Sequence, residues 1–261
     1  MKCKEVISCL EKIAPKCLAE KWDNVGLLAG REDKEVSKIM LALDPTKEVV
    51  EEAINWGADM LITHHPLIFS GMKSVTTSDF IGKRVFQLIC QDICYYAMHT
   101  NFDAAQMAEA VAGTLELKKS QILDITYRDE DIQKGIGQIG ELPVTMSLKD
   151  CAVYVKEKCN VSSVKVFGNP DAQVSIAALV PGSGKDYIDL ALKKNAHVFI
   201  TGDIGHHNGL DAVERGISVI DAGHYGLEKL FAGYMEKCLK EELPEIQIKR
   251  AEEQEPFWVI V

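Results

Sequence analysis

A helix-then-strand pattern that occurs twice is the strongest constraint on the fold of this chain. An amphipathic helix leads into an apolar strand in EEAINWGADMLITHHP (51–66), and that order recurs in DLALKKNAHVFITGDIGHHN (189–208). A strand, a histidine and then a carboxylate follow in ICYYAMHTNFD (93–103) and again in ISVIDAGHYGLE (217–228). Short loops between helices and apolar strands are typical of α/β proteins. We therefore expect an internally duplicated α/β fold with mixed sheets.

A polar stretch near the middle of the chain marks the expected boundary between the two repeats. It reads SQILDITYRDEDIQK (120–134) and interrupts the alternation of apolar helices and strands. We expect a first α/β repeat over 1–125, completed by 235–261, and a second repeat over 126–234. The segment PFWVIV (256–261) predicts a terminal strand.

Composition excludes several classes of partner. The formal net charge is −10 and the basic residues form no stripe, so we do not expect a nucleic-acid partner. The first residues hold no apolar core of signal-peptide length, and no apolar run reaches the roughly 18 residues of a membrane span. The eight cysteines form no C-x-x-C pair. We expect reduced thiols in a cytoplasmic protein, without a disulfide framework or a zinc ribbon.

Histidines and carboxylates collect at the C-terminal ends of the expected strands, the edge at which open α/β sheets bind ligands. The set comprises His64, His65, His99, Asp103, His224 and Glu228. Imidazoles and carboxylates without thiolates suit borderline or hard divalent ions of the first transition row. We therefore expect a metal site that differs from a closed structural zinc site.

The adjacent pair His64 and His65 has a geometry of its own. Neighbouring side chains on a strand point to opposite faces, so the two imidazoles do not normally share one ligand. Each can instead serve its own ion in a two-metal site with ions about 3.5–4 Å apart, with Glu228 bridging them. His224 and Glu228 are four residues apart, which places them on one face of a helix. A polar strand cap is the alternative interpretation of the pair.

Two glycine-rich segments resemble phosphate-binding motifs. GIGQIG (135–140) has the dinucleotide spacing, but ELPVT follows it where a helix should start, so we reject that function. PGSGKD (181–186) lacks the first glycine and the Ser/Thr of a Walker loop. It follows a strand, so its amides could hold an anion, although a plain tight turn is the alternative. The candidate substrate-binding residues here are Gly182, Gly184 and Lys185.

The turn-rich segment KWDNVGLL (21–28) supplies two weaker substrate-binding candidates, Asp23 and Asn24. A polar pair in an apolar setting either lines a pocket or caps a turn. The sequence alone favours the turn.

Seven segments, in order along nearly the whole chain, resemble the NIF-three-like dinuclear metal centre family. They are WDNVGLLAG, ITHHPLIF, HTNFDAA, GIGQIGEL, PGSGKD, VFITGDIGHH and IDAGHYGLE. Bacterial members are often labelled GTP cyclohydrolase 1 type 2 homologues, and this chain resembles the short form without an inserted domain. The resemblance implies two intertwined α/β domains with a metal pair in the interdomain cleft. It also implies a ring-shaped homohexamer, described as a trimer of dimers.

The resemblance also implies a ligand set for two divalent ions. His64, Asp103 and Glu228 would hold one ion, and His65, His224 and the same Glu228 would hold the other. Nitrogen and oxygen ligands do not choose between Zn, Fe and Mn, because cellular availability contributes to that choice.

Two histidines outside that ligand set are candidates for acid–base catalysis or support of the ligands. His99 is not a standard ligand of the family, and His207 matches a recurrent histidine of the second repeat. His206 is an extra, and His197, inside NAHVFI, is expected to have a structural role.

The function implied by the resemblance is two-metal hydrolysis of a small molecule, with a nucleotide as the candidate substrate in the manner of a GTP cyclohydrolase. That reaction would attack C8 of guanine and release formate. Two alternatives stay open at this point. One is a metal-dependent phosphoesterase or nuclease, and the other is a non-catalytic regulatory or metal-handling protein.

Overall fold

The computed structural model describes residues 1–130, 132–252 and 255–260. These residues form two compact units. The first unit contains residues 1–105 together with the described part of 231–254, and the second contains 106–230 together with the described part of 255–261.

The first unit alternates helices with short strands. Its elements are α1 (Cys3–Ile13), a 3₁₀ turn (Lys16–Leu18), β1 (Gly26–Ala29), β2 (Lys38–Ala42), α2 (Lys47–Trp56), β3 (Met60–Thr63), α3 (Phe80–Cys90), β4 (Cys94–Ala97), α4 (Thr100–Phe102), most of α10 (Leu230–Glu242) and β11 (Gln247–Arg250).

Local signals fix the ends of these helices. Thr46 caps α2 by accepting a hydrogen bond from the Val49 amide at 3.2 Å, and Gly57 ends the helix with a left-handed φ of 71°. Asp79 caps α3 through the Gly82 amide at 2.6 Å. The intervening strand β3 is buried throughout, as its apolar run predicts.

Five strands of the first unit form a mixed sheet in the order β1-β4-β3-β2-β11. Strands β4, β3, β2 and β11 are parallel, and β1 is antiparallel to β4. Helices α2 and α3 cover the sheet through a buried core that includes Val50, Leu61, Leu88 and Tyr95. Because the four parallel strands run in the same direction, their C-terminal ends lie at one edge of the sheet.

The second unit also alternates helices with strands, which form a larger sheet. After a π-helical stretch (Asp103–Met107) that crosses the boundary, its elements are α5 (Ala108–Thr114), β5 (Lys118–Asp129), β6 (Ile132–Ser147), α6 (Leu148–Lys158), β7 (Lys165–Phe167), β8 (Gln173–Ser183), a 3₁₀ turn (Lys185–Tyr187), α7 (Ile188–Lys193), β9 (Val198–Gly202), α8 (His206–Glu214), β10 (Ser218–Asp221) and α9 (His224–Glu228).

The six-stranded sheet of the second unit has the order β5-β6-β8-β9-β10-β7. Strands β8, β9 and β10 are parallel and adjacent, as β2, β3 and β4 are in the first unit. The remaining strands are antiparallel to their neighbours. The core of this unit includes Val155, Leu179, Ile200 and Ile220. The expected α/β fold with mixed sheets and a repeated β-α-β-α-β order is therefore confirmed.

The described residues of the polar stretch 120–134, expected at the boundary between the repeats, belong mainly to two paired strands. They form much of the hairpin β5–β6, and the expected division at residue 125 falls inside β5. Strand β5 lies at the edge of its sheet, where most of its residues are exposed or half-buried, so polar side chains are tolerated. The GIGQIG segment lies within β6, and a Cβ on Gly135 would meet the Asp124 carbonyl oxygen at 1.9 Å. Close strand packing explains that glycine.

The strand expected at PFWVIV is absent from its described residues. Residues 256–260 form no strand, and Val261 lies outside the described residues. The last strand is instead β11, which pairs in parallel with β2. Its side chains are exposed or half-buried, so this segment has no apolar run that would predict a strand.

Two further expectations concern the cysteines and the membrane. All eight cysteines are free thiols, four of them buried: Cys3, Cys94, Cys151 and Cys159. Within the described residues, no helix combines the length and the apolar character needed to cross a membrane.

Candidate metal centre

A tight turn after β3 presents the adjacent histidines of the first unit. The His65 carbonyl accepts hydrogen bonds from the Thr63 hydroxyl at 2.7 Å and from the Tyr95 hydroxyl at 3.0 Å. The Leu67 amide donates to the same Tyr95 hydroxyl at 2.8 Å. Tyr95 is fully buried, and burial raises the pKa of its hydroxyl, which keeps it protonated. The buried Tyr95 hydroxyl therefore holds this turn through its hydrogen bonds with the His65 carbonyl and the Leu67 amide.

Three imidazoles of the first unit share one arrangement, in which Nδ1 faces an oxygen atom. The pairs are His64 with the Met98 carbonyl at 2.7 Å, His65 with Asp44 at 2.7 Å, and His99 with Asp23 at 2.9 Å. A carbonyl can only accept, so the Nδ1 of His64 carries the proton. The ligand atoms of these three histidines lie within 4.8 Å of one another. Metal-binding histidines commonly have such partners behind the ring.

Asp103 adds a carboxylate to the same group. Its Oδ1 lies 3.5 Å from His64 Nε2, and the His64 side chain is only 1% exposed. Asp103 opens the π-helical stretch, and its amide donates to the His99 carbonyl at 3.0 Å. Single π turns inside helices are frequent at functional sites, because they redirect one side chain. The π-helical stretch continues the short helix α4, which begins at Thr100.

The carboxylate of Asp23 makes contacts with His99 and with the next residue, Thr100. The buried carboxylate accepts hydrogen bonds from the Thr100 amide at 2.9 Å and the Thr100 hydroxyl at 2.5 Å, besides facing His99. Burial opposes ionisation, but the hydrogen bonds from His99 and Thr100 outweigh it and hold the pKa of Asp23 at about 2. Asn24, the other candidate, donates to the Ile68 carbonyl at 2.6 Å. Both side chains tie loops together, and a contact with substrate stays a prediction.

The second unit contributes an imidazole and a carboxylate from one helical turn. His224 begins α9 and Glu228 ends it, with His224 Nε2 lying 2.9 Å from Glu228 Oε2. The expected placement on one helix face is thus observed. His224 Nδ1 faces Asp203 at 2.7 Å, which repeats the arrangement of the first unit. Asp203 has a left-handed φ of 57°, a strained conformation that is often found at functional sites.

Two glycines make room for this helical turn. A Cβ on Gly182 would lie 2.3 Å from Glu228 Oε1, and a Cβ on Gly202 would lie 2.5 Å from the backbone nitrogen of His224. Gly182 also has a φ of 69°, which glycine adopts without strain. The helix start can approach β8 and β9 only because both side chains are missing.

The other two candidates of PGSGKD, Gly184 and Lys185, have less structural support as ligand-binding residues. The Gly184 amide already donates to the Thr201 hydroxyl at 2.9 Å. Lys185 begins the exposed 3₁₀ turn after β8. Anion binding by this segment therefore stays a prediction, with one of its amides already used inside the fold.

The other histidines lie apart from these groups. His206 and His207 occupy the first turn of α8 and are exposed, with their ring centroids 5.2 Å apart. Among the described residues, no group of potential metal ligands includes either ring. The acid–base role of His207 stays a prediction. His197 Nδ1 accepts a hydrogen bond from the Ser175 amide at 3.2 Å, and its structural role stays a prediction.

Sequence reasoning missed Asp44 and Asp203, the two carboxylates behind His65 and His224. Asp203 directly follows β9, and Asp44 lies two residues after the end of β2. A strand-end carboxylate is the signal that could have found them, because the imidazoles end neighbouring strands.

The donor chemistry of both units fits a divalent metal ion. The first unit offers three imidazoles and a carboxylate, and the second offers an imidazole and a carboxylate. Nitrogen and oxygen donors of this kind suit Zn, Fe and Mn, so the groups suggest metal binding without choosing the ion.

Several bacterial proteins are similar to this chain over most of its length. The "GTP cyclohydrolase 1 type 2 homolog" of Clostridium acetobutylicum is 37% identical over 87% of this chain and 85% of its own. Proteins with the same description from Clostridium perfringens and Streptomyces coelicolor are 36% and 35% identical. The alignment with the Bacillus subtilis relative extends over 338 residues, more than the 261 of this chain.

Solved structures show the same fold. A Bacillus cereus protein related to NIF3 superposes with a TM-score of 0.94 at 26% identity, covering 100% of this chain and 99% of its own. The Staphylococcus aureus protein SA1388 gives a TM-score of 0.90 at 31% identity, again with 100% and 99% coverage. The model of the family described as Duf34/NIF3 (NGG1p interacting factor 3) matches residues 1–256. This chain therefore belongs to the Duf34/NIF3 family.

Proposed function

We propose that this protein is a hydrolase that uses two divalent metal ions. The proposed ligands are His64, His65, Asp103, His224 and Glu228. The relatives that are described as GTP cyclohydrolase 1 type 2 homologs support the reaction class. The donor groups found within each unit support the ligands.

The observation that carries the proposal is the common orientation of the imidazoles. In His64, His65 and His224, an oxygen atom of the same unit lies 2.7 Å from Nδ1. This arrangement fixes the ring and raises the basicity of Nε2, the nitrogen that a metal would take. A polar strand cap formed by His64 and His65 would not explain the same contact at His224.

Bound ions of this kind would supply Lewis acidity and an acidified water for hydrolysis. The chain's own contribution is orientation and proton handling. Asp23 holds the His99 ring by its Nδ1 and is itself locked by Thr100. We assign His99 as the group that moves a proton at Nε2, with Asp23 as its positioning residue. His207 is retained as a second candidate on the sequence evidence alone.

The substrate and the assembly rest on the resemblance. The names of the relatives suggest GTP as the substrate. Formate release after attack at C8 is the reaction that the family resemblance implies. Gly182, Gly184 and Lys185 are the proposed contacts for its phosphates. We also propose a homohexamer, which light scattering coupled to size-exclusion chromatography tests directly.

The test combines metal content with turnover. Metal per chain is measured by elemental analysis for the wild type, Glu228→Ala and Glu214→Ala, in which an exposed helical glutamate serves as the matched control. We expect about two ions per chain in the wild type and the control, and fewer in Glu228→Ala. A wild-type value below about one ion per chain after loading would contradict the two-metal assignment.

Activity is then assayed as formate release from GTP and as hydrolysis of a phosphoester. Formate release by the loaded wild type, lost in Glu228→Ala, supports the cyclohydrolase reaction. Phosphoester hydrolysis alone identifies a phosphoesterase or nuclease. Full loading with neither activity favours a metal-binding regulatory protein, which would accord with the family description as an interacting factor.

A further inference from the structure

Two exposed aromatic side chains lie beside the histidines of the first unit. Trp22 is 59% exposed and Phe69 is 54% exposed, although large aromatic side chains usually bury most of their surface. Their ring centroids are 5.8 Å apart. Trp22 also meets His99 edge-on at 6.0 Å, and Phe69 does so at 6.4 Å. The two rings therefore form an apolar surface against the imidazole to which we assign proton transfer.

The loops that carry these rings are held together. Asn24 donates to the Ile68 carbonyl at 2.6 Å, which connects the residues next to Trp22 and Phe69. Asp23 is buried beneath the first loop in its hydrogen bonds with His99 and Thr100. A surface that is ordered before binding loses little conformational entropy when a ligand covers it. The two loops are thus tied to each other and to His99, which limits the ordering that a ligand would impose on the pair.

We propose that Trp22 and Phe69 are a stacking platform for a planar aromatic ring of the substrate, the nucleobase type of ring. This inference rests on the proposed function, since it names the class of molecule that the same histidines would act on. A separation of 5.8 Å is too small to admit a third ring between the two, which needs about 7 Å. The two ring planes are inclined by 45°, so the ligand ring would stack on the outer face of one and contact the other at an angle. Stacking of this kind tolerates different bases, because every base has a π face.

Binding to the metal-loaded protein tests the platform by isothermal titration calorimetry. The probes are guanosine monophosphate, adenosine monophosphate and ribose 5-phosphate, which lacks the base. We expect both nucleotides to bind at least about tenfold more tightly than ribose 5-phosphate. Equal binding of all three probes overturns the platform, as does the absence of nucleotide binding.

Variants locate the effect on the two rings. Trp22→Ala and Phe69→Ala are each expected to weaken nucleotide binding about tenfold and to leave ribose 5-phosphate binding unchanged. Trp22→Phe, which keeps a ring, should stay within about threefold of the wild type. The matched control is Phe86→Ala, an exposed phenylalanine on α3. Unchanged nucleotide affinity in both alanine variants overturns the proposal.

Metal content separates this proposal from the proposed function. Neither aromatic ring is a proposed ligand, so the platform variants should keep the wild-type metal content. If the wild type binds no metal, the hydrolase proposal fails. The nucleotide titrations of the metal-free protein then still decide whether the platform exists.

Discussion

The carboxylate of Glu228 occupies the space that a side chain on residue 182 would need. A Cβ on Gly182 would lie 2.3 Å from Glu228 Oε1 and 3.5 Å from His224 Nε2. These residues are distant in sequence but lie together because α9 packs against the end of β8. The contact makes Gly182 a structural requirement of the proposed metal ligands.

Gly182→Ala is therefore expected to lower the metal content per chain, because the new methyl group displaces the Glu228 carboxylate. It should also cost about 1–2 kcal/mol of unfolding free energy for the left-handed backbone. Gly57→Ala is the matched control, since Gly57 has a φ of 71° and its Cβ would meet only Lys38 Nζ at 4.0 Å. The measurements are elemental analysis and urea unfolding. Equal metal content in the two variants would contradict the requirement.

Asp44→Asn and Asp203→Asn are each expected to weaken metal binding about 10- to 100-fold. Each change weakens the acceptor that faces the Nδ1 of His65 or His224, so the ring loses orientation and basicity. Competition with a chromophoric chelator measures the affinity. Asp171→Asn, at an exposed turn, should behave as the wild type. Wild-type affinity in both test variants would show that these carboxylates do not support the ligands.

Tyr95→Phe is expected to lower the unfolding free energy by about 1–3 kcal/mol, since it leaves the buried Leu67 amide without its acceptor. The turn that carries His65 should loosen, so metal affinity should fall as well. Tyr154→Phe provides the comparison, because that hydroxyl donates to the Leu115 carbonyl at 3.0 Å at a partly exposed position. Urea unfolding should rank Tyr95→Phe as the more destabilising change, and the reverse order would refute this role of the phenol.

Asp23→Asn is expected to remove a pH-dependent part of the stability. The pKa of Asp23 is about 2 in the folded chain, below its ordinary value of 3.8. The depressed folded pKa means that the stabilisation is present above the unfolded pKa and is lost as the pH falls from about 4 to about 2. The wild type should exceed Asp23→Asn by up to about 2 kcal/mol near neutral pH, and the difference should shrink below about pH 4.

Urea midpoints measured across that range provide the check. The exposed carboxylate of Asp186 supplies the control variant Asp186→Asn, which should follow the wild type at every pH. A difference between wild type and Asp23→Asn that does not change with pH would contradict the assignment of this pKa.

Regular elements were predictable where their signal is local. The apolar runs of β3, β4, β9 and β10 mark buried parallel strands, and Gly57 marks the end of α2. Strands β5 and β11 gave no such signal, because edge positions leave their side chains exposed or half-buried. Their pairing depends on distant partners, which composition does not encode.

The sequence by itself determined the duplicated α/β fold and the placement of histidines and carboxylates at strand ends. Those features follow from hydrophobic periodicity and from spacing, which are patterns among residues close in the sequence. Only the tertiary structure decided which oxygen orients each imidazole, since Asp44 and His65 are 21 residues apart, as are Asp203 and His224. It also revealed why residue 182 is glycine. Contacts of that kind arise when separate strands are brought to one sheet edge, and no local pattern specifies them.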